Sequence, residues 1–140
     1  MGKQYERDWI ERAHWFAVRV LKIAGKLPHT PAGWSMAGQV CRSGPSIPHN
    51  MEEAKAALTL ADTLTKTGIA RKEAAETRRS LMVIRDAELL PKSEAEELRL
   101  LITEGNEITA MLSAGTYRLH LRITKESKGR DSRTSWPDRP

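Results

Sequence analysis

Residues 98–119 read LRLLITEGNEITAMLSAGTYRL, and this stretch decides the fold. Leu98, Leu101, Gly105, Ile108, Leu112, Gly115 and Leu119 follow one another at alternating steps of three and four. That spacing places them on one helix face, with the seven-residue repeat of a left-handed bundle seam. Each glycine on that face costs the helix about 1 kcal/mol, so a neighbour is expected to approach closely at Gly105 and Gly115. Ser93-Glu94-Ala95-Glu96 opens this helix with acidic residues at its positive end.

Working outward, three further helices emerge. Trp9, Ala13, Phe16, Ala17, Val20, Ala24 and Leu27 share one face and predict a helix over about residues 6–27, ended by Pro28 and Pro31. A second stripe through Ala37, Val40, Cys41, Gly44, Ile47, Met51 and Ala54 crosses Gly44-Pro45-Ser46-Ile47-Pro48. Each proline removes a helical hydrogen bond, so this helix is expected to kink at Pro45 and Pro48. Thr59-Leu60-Ala61-Asp62 reads as a capping box with Asp in the Glu place. It starts a third helix whose face is Leu60, Leu64, Thr67, Ala70, Ala74, Thr77, Leu81 and Ile84. No segment alternates apolar and polar residues long enough for a strand. The expectation is an all-α, up-and-down antiparallel four-helix bundle over residues 1–124, with a flexible basic tail over 125–140.

The chain has 140 residues, room for one domain, and 23 basic against 18 acidic side chains, a net charge of +5. Residues 1–31 carry +3, residues 32–90 carry +1, residues 91–115 carry −3 and residues 116–140 carry +4. The basic excess therefore lies on the first helix and on the end of the fourth with its tail. Brought together in an antiparallel bundle, these two would form one surface field. Arg118, Arg122 and Lys125 make a helical stripe that Lys128, Arg130, Arg133 and Arg139 extend. A row of cations suits phosphate contact; it equally suits a solvated helix end favoured by the dipole. Aromatic residues, at 5%, are too few for a base-stacking platform.

Catalytic chemistry is hard to place. His14, His29, His49 and His120 lack a metal-ligand spacing, and His49 beside Glu52 and Glu53 has no further support as a base. Glu73 and Glu76 come without the Glu-x-x-His pairs of a carboxylate metal bundle. The one cysteine, Cys41, lies on the apolar stripe and reads as a small core residue. Gly33 and Gly38 lack the context of a phosphate loop. The reading is therefore of a protein that is not an enzyme and takes no cofactor or metal. Residues 1–8 are charged and no apolar signal region follows, which gives a cytoplasmic expectation without membrane association.

Two blocks carry a family resemblance. Residues 39–54, Gln39-Val40-Cys41-Arg42-Ser43-Gly44-Pro45-Ser46-Ile47-Pro48-His49-Asn50-Met51-Glu52-Glu53-Ala54, are similar to a stretch typical of bacterial four-helix-bundle proteins encoded in intervening sequences of 23S ribosomal RNA genes. Gly68-Ile69-Ala70-Arg71-Lys72-Glu73-Ala74-Ala75-Glu76-Thr77 resembles a second block of that family, and Glu107–Leu112 a third. Cys41 stands where the family usually has arginine, and Pro45 replaces an ordinary helix former. Such proteins resemble the accessory protein of diversity-generating retroelements, a basic pentameric barrel that binds nucleic acid and a reverse transcriptase. The resemblance thus implies a homo-oligomer, a pentamer, and brings no catalytic motif.

Together these readings lead to a ring-like homo-oligomer that binds structured RNA or DNA, with Arg19, Lys22, Arg42, Arg78, Arg79, Arg118, Arg122 and Lys125 as candidate contacts. The alternative is an accessory subunit that binds a protein such as a retroelement reverse transcriptase; a third is a scaffold whose cations only aid solubility. Asn50 and Ser46 are read as structural, satisfying carbonyls that the prolines leave without donors.

Overall fold

The computed structural model describes residues 2–133, with side chains over 8–132. Four helices follow in order: α1 (Gly2–Ala24), α2 (Pro31–Ala56), α3 (Leu60–Asp86) and α4 (Ala95–Arg133). A 3-10 turn over Lys92–Glu94 leads into α4. Among the described residues there is no strand. The helices pack as an up-and-down antiparallel bundle.

Local chemistry sets the helix ends. The Thr30 hydroxyl accepts from Gly33 N at 3.1 Å, and Pro31, whose missing N–H costs nothing there, opens α2. Gly33 is obligatory: a Cβ would lie 1.8 Å from the Pro28 carbonyl oxygen. The Thr59 hydroxyl accepts from Asp62 N at 3.1 Å and opens α3, as its sequence predicts. Helix α1 stops at Ala24, three residues short of the expected end, yet Leu27 is buried because the turn folds it under the core.

Helix α2 runs unbroken through Pro45 and Pro48. Asn50 donates to the Ser46 carbonyl at 2.8 Å and to its hydroxyl at 3.1 Å. The side chains expected to satisfy orphaned carbonyls thus hold the next turn together; the carbonyls that lose donors to the prolines are those of Cys41 and Gly44. Cys41 is exposed, against its expected place in the core. The buried face runs from Ser43 through Val40, Gly44, Ile47 and Met51 to Pro48, and Cys41 lies just beyond its Pro48 edge.

The core gathers Phe16 and Val20 of α1, Val40 and Ile47 of α2, Leu81 and Ile84 of α3, and Leu101 and Ile108 of α4, all essentially inaccessible. Three hydroxyl residues, Ser43, Thr77 and Ser80, are buried with them, and two of these meet. Thr77 and Ser43 lie 2.7 Å apart across α3 and α2, and Thr77 also donates to the Glu73 carbonyl at 2.8 Å. A carbonyl only accepts, so Thr77 gives its proton there and Ser43 supplies the proton between the two hydroxyls. Both hydroxyls are therefore satisfied.

The two seam glycines differ. At Gly105 a Cβ would meet Arg78 Cβ at 3.4 Å and Phe16 Cζ at 3.5 Å, the close approach that the helix-four pattern predicts. At Gly115, among the described residues, no neighbouring helix comes within 4 Å of a Cβ; the nearest described atom is Nη2 of Arg118, 4.0 Å away. Helix α4 also continues to Arg133, past the expected tail boundary at residue 124. Extending an existing helix costs little, and residues 125–133 contain no proline. Residues 134–140, with Arg139 of the proposed stripe, lie outside the described residues.

The space at Gly105 admits a methyl group and nothing larger. Gly105→Ala should leave stability within about 1 kcal/mol of the parent, because it recovers helix propensity. Gly105→Leu, driven into Phe16, should lose about 1–3 kcal/mol. Urea unfolding followed by circular dichroism distinguishes the two.

Candidate nucleic-acid interface

The eight candidate cations fall into two groups. Arg19, Arg42 and Arg78 are engaged within the fold. Arg19 Nε donates to Glu97 Oε1 at 2.8 Å. Arg42 reaches Glu76 at 3.2 Å and Glu73 at 3.5 Å. Arg78 Nη1 donates to Asn106 Oδ1 at 3.3 Å, while its Nε is buried with no acceptor. Lys22, Arg79, Arg118, Arg122 and Lys125 are exposed, and none forms an ion pair among the described residues.

Arg19 belongs to a ladder between α1 and α4. Arg12 pairs with Glu104, its Nε at 2.9 Å and its Nη2 at 2.7 Å, and also with Glu107. Lys26 Nζ meets Glu94 at 2.6 Å. Burial of the Arg12 guanidinium opposes its charge, but its hydrogen bonds to Glu107 and Glu104 prevail and raise its pKa above the usual arginine value. Arg12 also stacks over Trp9, 4.2 Å from the ring centroid. The three cations are seven residues apart and meet acids that run the other way along α4. Sequence reading did not pair Arg12 and Lys26 with these acids. The signal was present in that spacing and in the −3 of residues 91–115 against the +3 of residues 1–31.

This ladder corrects the expected charge map. Among the described residues, Arg12, Arg19 and Lys26 are neutralised by the acids of residues 94–107, and Lys22 is not. Antiparallel packing also sets Lys22 and Lys26 at the opposite end of the bundle from Arg118–Lys125, so these described cations do not merge into one field with them. Positive charge is left on the C-terminal part of α4. Between Glu107 and Glu126 that helix holds no acid, and residues 124–128 are exposed.

The remaining chemistry is dispersed. All four histidines are exposed. Glu73, though only 8% exposed, faces Arg42, and Glu53 pairs with Lys66 at 2.6 Å. Among the described residues no three His, Cys, Asp or Glu side chains come together to hold a metal, and no helix is long and apolar enough to cross a membrane.

A second feature was absent from the sequence reading. Where α1 begins, α2 ends and α3 begins, the bundle opens into a groove of about 540 Å³ with an apolar floor, and Arg118 and Arg122 stand on its rim. They are thus wall residues of a groove as well as part of a surface stripe.

These features define a four-helix-bundle protein with one cationic end, and the comparisons agree. Residues 6–114 match the family described as 23S rRNA-intervening sequence protein, and the chain belongs to that family. It is similar to a solved structure of a protein with unknown function from the S23 ribosomal protein family of Bacteroides thetaiotaomicron. The two are 28% identical with a TM-score of 0.70, over 80% of this chain and 97% of that one. No curated protein matches the sequence.

The Arg19–Glu97 pair should behave as a structural contact. Arg19→Glu should destabilise the bundle by about 1 kcal/mol, and adding Glu97→Arg should restore most of the loss. The measurement is urea unfolding of both variants at low salt.

Proposed function

We propose that this chain is a non-catalytic, homo-oligomeric protein that binds structured RNA or duplex DNA through the phosphate backbone. The observation that carries the reading is the state of Arg118, Arg122 and Lys125. They are exposed, stand in a row on α4, and have no acidic partner among the described residues. Phosphate contact needs such cations, since an arginine already bound to a carboxylate must break that bond first. Lys22 and Arg79 have the same character and are secondary contacts. Arg19, Arg42 and Arg78 are set aside because the fold already employs them.

Oligomerisation supplies what one chain lacks. Three phosphates per chain give a weak, salt-sensitive interaction, and several copies on one rigid assembly multiply it through effective concentration. Membership of a family named for ribosomal RNA genes is consistent with an RNA ligand.

Fluorescence anisotropy with a labelled duplex, across a salt series, tests the reading. Affinity should fall log-linearly with salt. Arg118→Glu with Lys125→Glu should weaken binding at least tenfold at about 0.1 M salt and flatten the salt slope, with oligomer mass unchanged. Arg42→Glu should change affinity less than threefold. Binding that is absent even at low salt, or that survives the α4 reversal, overturns the reading.

A further inference from the structure

We infer that the groove at the open end of the bundle is a docking site for an amphipathic helix of a protein partner, with apolar anchors flanked by acidic residues. This goes beyond nucleic-acid binding: it adds the apolar walls of the groove and shares only Arg118 and Arg122 with the phosphate-binding row.

The groove is built for such a ridge. Its α4 wall is formed by residues 111, 112, 115, 118, 119 and 122, at steps of one and three, a helical stripe about 16 Å long left uncovered among the described residues. Trp9, Met51, Leu60, Met111 and Leu119 line the interior with apolar surface. Gly115 adds depth, since a Cβ there would meet only Arg118 Nη2 at 4.0 Å. Grooves between helices accept the side-chain ridge of another helix, anchored at i, i+3 or i+4, and i+7.

Charge selects the occupant. Lys55, Arg118 and Arg122 stand at this groove, no described acidic residue lines it, and none of the three forms an ion pair among the described residues. An acid-flanked helix would supply the missing carboxylates. The projecting end of α4 from a second copy is a poor match, because Arg122, Lys125, Lys128 and Arg130 would bring like charge to the rim.

The intact protein carries its own reporters. Met51 and Met111 line the groove, whereas Met36 and Met82 do not. With methyl-13C methionine, a 15-residue helical probe peptide bearing Leu at four groove-facing positions and Glu beside them should shift the Met51 and Met111 resonances and leave Met36 and Met82 in place. The same peptide with Lys for Glu should shift none. Arg118→Glu with Arg122→Glu should raise the Kd of the acidic peptide at least tenfold. Ala54→Trp, which fills the groove, should abolish the shifts while duplex affinity stays within twofold. Unmoved Met36 and Met82 resonances show that each variant is folded. Silence of Met51 and Met111 at millimolar peptide overturns the proposal. So do equal shifts with the lysine peptide, or Met51 and Met111 shifts on simple dilution, which would place a second copy in the groove. Duplex binding is measured separately: Arg118→Glu with Arg122→Glu should weaken both interactions, whereas Ala54→Trp, at no candidate phosphate contact, tests the groove alone.

Discussion

Two large side chains seated on two glycines hold this bundle in register. Phe16, the single phenylalanine, lies against Gly105 of α4, and one turn along α1 Val20 lies against Gly44 of α2, its Cγ1 3.3 Å from where a Cβ would stand. Both contacts come from one face of α1, so they fix its height against two neighbours at once. A shift by one helical turn would drive Phe16 against a side chain instead of a glycine, which close packing does not tolerate.

Electrostatics follows from that register. With Phe16 over Gly105, Arg12 and Arg19 flank the contact on α1, and Glu104 and Glu97 are opposite them. Exposed ion pairs of this kind are each worth less than about 1 kcal/mol. Their larger effect is on the surface left for a ligand. They take Arg12 and Arg19 out of play and leave the C-terminal third of α4 as the main described basic region. The same register accounts for the open end. Helix α4 spans 39 residues, about 58 Å, against 27 for α3 and 26 for α2, so it outruns those two, and among the described residues its apolar face there lacks a cover.

Much of this was legible in the chain. The alternating three-four spacing from Leu98 to Leu112, the cap at Thr59 and the small-residue face of α3 each name a helix and its buried side, because burial and hydrogen bonding act locally along a helix. Cys41 lies at the margin of the apolar stripe, one step outside the edge that Pro48 buries, and only the packing of neighbouring helices fixes how far that edge extends. The tail boundary at residue 124 failed for another reason: loss of apolar residues marks the end of packing, and a helix that is already formed can go on without it.

The sequence by itself determined four helices, their faces, the antiparallel order imposed by short connections and the surplus of positive charge. Those properties depend on neighbours within one or two turns. Only the tertiary structure decided which cations are left for a ligand and where the bundle stays open. A charge is paired or unpaired by a residue that lies as many as 95 positions away in the chain, and a groove exists only where four helices of unequal length stop covering one another.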